Sequence, residues 1–438
     1  MQLDPARISS SLDSLRGRVS YRLLTFLTLL VAAKAAAKPP VDLPGSASVS
    51  AGDSGFTLAS PDGEWSLRLR AHVQTDARFV FGDGDGGFAD TFILRSARPY
   101  IEGVAFGMLD YRLMPDFGNG RAVIQDGYLR LRAVPWLQLA AGKMKVPFGL
   151  ERLQGEAATY FAERGLPTAL APNRDVGFVL SSELWKGALL LELGGFDGQA
   201  DNTLTDGDTS DGKDLVARIS GFPFRGAGIS ALDGLGLGVA VTWGEETRGE
   251  VEAPKYATPA SQTFFRYRAA ADDGTGGVLA DGGRLRLTGH LQYNVSWFGL
   301  LAEVVWARHT LVRDDATITA EHLAWQVATD FVLYGGDSRF DGVRPTAPLG
   351  FGEKAGPGAF TLAVRYGEIA LDESVFPTFA DPDKSARHAR NAGAALSWWA
   401  TRSFRVIADF QHTSFEGGAV GGDRPDELAF TTRLQLSF

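Results

Sequence analysis

The sequence predicts an all-β protein, a transmembrane antiparallel β-barrel of about sixteen strands. Three observations carry the prediction. Apolar and polar residues alternate with a period of two over unusually long stretches, the links between those stretches alternate in length, and the last stretch alternates up to a terminal aromatic residue. A period of two puts successive side chains on opposite faces of a strand. In the last stretch Leu428, Phe430, Leu434, Leu436 and Phe438 share one phase, and Thr431, Arg433, Gln435 and Ser437 share the other. Such a strand reads as paired on both sides, whereas the edge of a soluble sheet is blunted or covered.

Composition agrees. The chain of 438 residues is long for one domain, but barrels run long. It has no cysteine, which excludes disulfides and thiolate metal sites and suits passage through an oxidising compartment. The 53 glycines fit many short turns, and 28 Phe, 10 Tyr and 9 Trp can supply a lipid-facing band with interfacial girdles. A mean hydropathy of -0.05 argues against a helical membrane protein. A net charge of -9 gives no support for nucleic-acid binding.

From the N-terminus, Arg7, Arg16, Arg18 and Arg22 precede an apolar run from Leu23 to Ala33 and the small residues Ala35-Ala36-Ala37. This pattern reads as a secretory signal peptide over residues 1–37, with an uncleaved interfacial helix as the alternative. Its removal takes away five basic and two acidic side chains, so -9 becomes -12. Any anion preference then depends on where charges sit. Residues 38–64, with Pro39, Pro40 and Pro44, read as a periplasmic lead-in, and 65–438 as the barrel.

The first strand sets the pattern. Trp65, Leu67, Leu69, Ala71, Val73, Ala77, Phe79 and Phe81 alternate with Ser66, Arg68, Arg70, His72, Gln74, Asp76 and Arg78. This is too long for an ordinary sandwich strand, and one face is charged. A barrel with an apolar exterior and a watery lumen accounts for both faces. The same template places strands near 91–106, 108–117, 121–133, 136–146, 175–185, 186–198 and 213–222. It continues near 235–245, 284–297, 298–312, 320–335, 358–370, 389–400, 402–415 and 425–438. If the first strand runs outward, short links near 107, 134–136 and 401 are periplasmic. The long links 147–174, 199–212, 246–283 and 371–388 are then extracellular, the expected asymmetry, with 336–357 as a long periplasmic exception.

Motifs for catalysis are missing. The six histidines form no metal-binding pair, and no G-x-S-x-G turn occurs. The sequence therefore reads as a non-enzyme without a cofactor, an outer-wall Ser-His hydrolase being the enzymatic alternative. GDGDGG at 82–87 and the acidic stretch 201–214 lack the full EF-hand register and read as solvated loops. The lumen phase is basic on successive strands, with Arg68, Arg70 and Arg78, then Arg98, then Arg112, then Arg130 and Arg132. Arginine offers fixed donor forks that match oxyanions, and basic ladders are how pores favour anions. Pairing with Asp76, Glu102, Asp110, Asp116 and Asp126 on the same phases is the competing account. Segment 143–175 carries Phe148, Leu150, Tyr160, Phe161 and Leu166, too apolar for a simple outer hairpin tip. Folding back into the barrel would bury these residues and bring Lys143, Lys145, Arg152, Arg164 and Arg174 to a constriction. A structured outer cap is the alternative.

AGKMKVPFGLERLQ (141–154), ERGLPTALAPNRDVGF (163–178), RPYIEG (98–103) and the layout from residue 65 onward resemble the phosphate-selective porin O and P family. The terminal strand ending in Phe438 also resembles the signal read by the barrel-insertion machinery of bacterial outer membranes. The family resemblance implies a sixteen-stranded homotrimeric porin of the Gram-negative outer membrane, bedded in its lipid. It also implies an inward-folded third loop and an arginine ladder guiding phosphate or polyphosphate. Carried over by position, Arg98, Lys143, Lys145 and Arg152 are the better anion candidates. Ala97 stands where the family pattern has a second arginine, and His72 where a basic residue is expected. These departures bear on phosphate selectivity more than on the porin reading. A weakly selective general porin and a secreted adhesin complete the alternatives.

Overall fold

The computed structural model describes residues 46–81, 90–199, 212–246, 253–270, 276–350 and 355–438. The expected leader (1–37), the stretch 82–87 and residues 201–211 lie outside the described residues. The compact unit Ser48–Phe438 holds sixteen long strands. They are β1 (Ser66–Phe81), β2 (Thr91–Ala105), β3 (Leu109–Asp116), β4 (Val123–Val134), β5 (Leu137–Lys145), β6 (Arg174–Leu184), β7 (Leu189–Phe196) and β8 (Asp214–Gly221). The second half comprises β9 (Leu235–Glu246), β10 (Leu279–Val295), β11 (Phe298–Arg313), β12 (Ala316–Tyr334), β13 (Ala359–Ala370), β14 (Ala386–Trp399), β15 (Phe404–Ala419) and β16 (Glu427–Ser437).

Each strand pairs antiparallel with the next, and β16 closes the barrel on β1 from Leu428↔Phe81 to Ser437↔His72. Closure removes every free edge in the ring, the condition for crossing hydrocarbon without unpaired backbone groups. Within the stretch read as a lead-in, Ser48–Gly52 and Gly55–Ala59 form a hairpin that pairs with the start of β1 at Phe56↔Leu69 through Ala59↔Ser66. The hairpin and β16 thus follow one another along the same edge of β1. Where they meet, Phe438 and Ala71 exchange two main-chain hydrogen bonds of 3.0 Å, and the Phe56 and Phe438 rings meet edge to face.

Polarity is inverted relative to a soluble protein. On β1 His72, Gln74, Asp76 and Arg78 are buried, while Val73 and Phe81 are exposed. Leu113, Leu129, Leu193, Leu237, Val327 and Leu434 are likewise exposed, while Thr242, Arg286, Gln326 and Arg405 are buried. An apolar exterior spread over the whole wall needs hydrocarbon as its neighbour. Aromatic pairs gather at the end with short turns, as Trp65–Phe106, Trp297–Phe331 and Phe360–Trp398. This is the girdle position at a lipid–water boundary.

Strands β10 and β12 start well before the bounds that alternation indicates. Strand β10 begins at Leu279, before a register shift between Ala280 and Arg284 where Gly282 has a positive φ of 119°. The bulge breaks the period. Strand β12 begins at Ala316, because Asp314-Asp315 closes a tight turn with Asp314 at φ 51°.

Four connecting segments meet the interior faces of the strands. Segment 146–173, between β5 and β6, holds only short helical turns, such as Leu150–Leu153, yet Phe148, Leu150, Phe161, Leu166 and Leu170 are almost fully buried. Segments 253–270 and 371–385 pack Tyr256, Phe264, Phe265, Val375 and Phe379 against Leu311, Ile369 and Phe415. From the opposite end, segment 335–358 sends the Phe340 carbonyl to Gln154 Nε2 at 3.0 Å and the Ser338 hydroxyl to Asn294 Nδ2 at 3.1 Å.

Candidate functional site

A cavity of about 410 Å³ lies between β1–β7 and the segment that follows β5. Its cations come one from each of six consecutive strands: Arg70, Arg98, Arg112, Arg130, Lys145 and Arg174. Register assembles them. Strand pairing sets Arg70 beside Tyr100, Glu102 beside Arg112, Arg112 beside Tyr128, and Lys145 beside Arg174. Three carboxylates share the lining, Asp126, Glu156 and Glu192. Cations therefore outnumber acids there by six to three.

The cations differ in commitment. Arg98 is buried, with Nε 2.7 Å from Asp116 Oδ2 and Nη1 2.7 Å from Glu156 Oε2. Arg174 Nε is 2.7 Å from Asp126 Oδ1. Glu102 takes Arg112 at 2.7 Å and Arg70 at 3.3 Å. Lys145 Nζ donates to the carbonyl oxygens of Leu153 and Gln154 at 3.2 and 2.9 Å, so it meets dipoles rather than a counter-charge. Arg130 is half-buried, lies over the Tyr128 ring at 5.3 Å, and has no ion pair among the described residues. Net positive charge remains in this cavity, because Arg130 has no ion pair among the described residues and one carboxylate, Glu102, is shared by Arg70, Arg112 and Arg68.

Five other candidate cations stand elsewhere. Arg68 reaches Glu102 at 3.5 Å and Arg132 reaches Asp110 at 3.1 Å, both with well-exposed side chains. Lys143 is buried and does not line the cavity. Arg152 is also buried, and its Nη2 donates to the Thr168 carbonyl at 2.6 Å. Burial, helped by the neighbouring Arg164 and Arg174 charges, lowers Arg152 to about 9. Arg164 binds the Glu151 and Gln154 carbonyls and Glu156, all within its own segment.

A second basic cluster is read only in part from the sequence, with Arg78, Asp76 and Arg433 placed on the polar phase and Arg95 and Glu163 missed. Glu163 Oε1 accepts from Arg78 Nη2 at 2.6 Å, Arg95 Nε at 2.6 Å and Arg433 Nη2 at 2.9 Å, while Asp76 binds Arg78 and Arg433. Arg95 is inward only because a bulge sets Gln74 opposite Ser96 and Thr75 opposite Leu94, leaving Arg95 unpaired in the ladder. Arg433 and Arg405 lie on the polar phase of their strands, and that phase was the available signal. Arg405 donates to the Thr159 and Tyr160 carbonyls at 2.6 and 3.0 Å. Arg365 donates to the Glu163 carbonyl at 3.0 Å, and Arg433 to that of Ala162. The far wall thus spends its guanidiniums on holding segment 146–173.

Burial alone would raise the Glu156 and Glu163 carboxyls. Arg98 and Arg164 outweigh it at Glu156, and Arg95 and Arg433 at Glu163, holding both well below the usual carboxylate range. A depressed pKa contributes stability above the unfolded value, lost as pH falls through the folded one. That loss therefore falls below the ordinary carboxylate range. We expect any conductance difference between wild type and Glu163→Gln to persist from pH 7 to pH 4 in planar bilayers. A difference that vanishes with a midpoint near 4.5 would show that Glu163 titrates normally.

A closed barrel of sixteen strands with an apolar exterior, a charged interior and a basic cavity has the architecture of an outer-membrane channel. The chain belongs to the phosphate-selective porin O and P family, whose model matches residues 67–438. It is a porin of the Gram-negative outer membrane. No curated protein sequence matches it. Among solved structures it is similar in fold to the outer membrane channel DcaP of Acinetobacter baumannii, with 12% identity and a TM-score of 0.55, covering 87% of this chain and 100% of that one. An anion-selective porin from Comamonas acidovorans matches with 11% identity and a TM-score of 0.53, over 86% and 100%. OmpT of Vibrio cholerae matches with 10% identity and a TM-score of 0.53, over 85% and 98%.

Proposed function

We propose that the protein is a passive diffusion porin for small anions, phosphate and polyphosphate among them, exported by the leader at 1–37 and inserted through its C-terminal strand. The observation that carries this reading is the convergence of one cation from each of six consecutive strands on one cavity, where they outnumber the acids. The arginines and Lys145 would replace part of an anion's hydration shell, while Asp126, Glu156 and Glu192 keep binding weak enough for release. Segment 146–173, moored across the interior, would set the narrowest part of the path. The family name and the anion-selective Comamonas porin agree with an anionic solute. OmpT, which shares the fold at a TM-score of 0.50 and 9% identity, has been solved in a trimer form, which supports a homotrimer here.

The test is the reversal potential of single channels across a potassium chloride gradient. Arg130→Ala removes a charge that has no ion pair among the described residues. At about 1 kcal/mol for a unit charge close to a solvated path, chloride permeability should fall by roughly fivefold, and its preference over potassium by more. An unchanged reversal potential would remove Arg130 from the path. A general porin of weak selectivity is the second reading, favoured by the three carboxylates in the same lining. It expects near-equal permeabilities already in the wild type.

A further inference from the structure

Three of the four cations that face the cavity without deep burial, all but Lys145, are laid on aromatic rings. Arg70 lies 5.5 Å from the centroid of Tyr100, and Arg112 and Arg130 lie 5.8 and 5.3 Å from that of Tyr128. All five side chains are partly exposed, whereas the better donor forks of Arg98 and Arg174 are buried against Asp116, Glu156 and Asp126. The same cavity is lined by Met114, Met144, Pro147 and Val179, which offer thioethers and alkyl surface but no hydrogen bonds. Beside Tyr128 the ladder places Gly142, and beside that Gly177, over which the Phe196 ring lies.

Inorganic phosphate gains little from such a lining. It is strongly hydrated on every side, and rings, sulfurs and methyl groups replace none of that water. A carboxylate joined to a flat apolar body gains at both ends. Its charge can sit by Arg130 and Arg112, while its ring stacks on tyrosine and packs against methionine sulfur. We propose that the cavity prefers aromatic carboxylates to inorganic phosphate and to small aliphatic acids. The proposal rests on the reading of this cavity as the anion path.

The experiment uses the full-length porin in planar bilayers at fixed potassium chloride, with benzoate, acetate or inorganic phosphate added in turn. Benzoate should reduce the chloride current at a concentration at least tenfold lower than acetate or phosphate. Tyr128→Phe should keep that ratio, and Tyr128→Leu should bring benzoate close to acetate. Arg130→Ala should weaken all three anions together. Equal block by benzoate and acetate, or block by phosphate at the lowest concentration, would overturn the proposal and leave the anion path standing. A wild-type channel that does not prefer chloride to potassium would overturn both.

Discussion

Glu163→Gln is expected to give channels with higher and noisier conductance than the wild type, in a barrel that still folds and inserts. The carboxylate joins three guanidiniums from three strands, Arg78 on β1, Arg95 on β2 and Arg433 on β16. Asp76 alone would then compensate Arg78 and Arg433. Removing one member of a buried ion pair costs about 3–5 kcal/mol, because the remaining charge keeps its desolvation penalty. That cost falls on segment 146–173, which keeps the Arg98–Glu156 and Arg365–Glu151 pairs and a set of main-chain contacts. Those contacts are the Arg405, Arg365 and Arg433 donations described above and the 2.9 Å bond from Ala162 N to Asp409. The strand ladder is untouched, so barrel formation should survive. Single-channel recording supplies the readout. Traces with wild-type amplitude and noise would mean that the other anchors, the Arg98–Glu156 pair among them, hold the segment without Glu163.

The strands were legible because a barrel wall between lipid and water imposes one rule on every residue. That rule is visible in β1, where Val73 and His72 fall on the faces their polarity demands. It made Arg70, Arg98, Arg112 and Arg130 readable as inward-facing before any contact was known. It fails where a bulge interrupts the period, and Arg95 was missed for that reason. Partnership was a different problem. Arg433 and Asp76 are 357 residues apart in sequence and meet because closure sets Arg433 opposite Asp76. No local pattern encodes that register. Arg152 shows the converse, a cation correctly seen in segment 146–173 whose donors turn to the Thr168 carbonyl and away from the cavity. Charge type is readable from sequence, but its use as a solute contact or a structural tie depends on partners brought by the fold.

Asp214→Ala is expected to lower the unfolding temperature far more than removal of an exposed carboxylate does. Arg284 and Arg286 are among the most buried side chains of the protein, and both donate to Asp214 Oδ2, at 2.8 and 3.1 Å. The acid sits where β8 begins, opposite Gly244, and a methyl group on Gly244 would come within 2.0 Å of Asp214 Oδ1. The glycine therefore makes room for the carboxylate. After the substitution Arg284 keeps Glu246 and the Gly198 carbonyl, and Arg286 keeps its 3.2 Å contact with Thr242 Oγ1. Two buried cations would share less counter-charge, at a cost of about 3–5 kcal/mol. Glu416→Ala is the control. Glu416 pairs with Arg390 at the surface, with side chains 35% and 41% exposed, so water replaces the lost partner. The check is the temperature at which the folded electrophoretic band converts to the unfolded one. Asp214→Asn, which keeps an acceptor oxygen without the charge, should fall between Asp214→Ala and wild type. Equal shifts for Asp214→Ala and Glu416→Ala would mean that water reaches Arg284 and Arg286 once the carboxylate is gone, so that this interior is solvated rather than sealed.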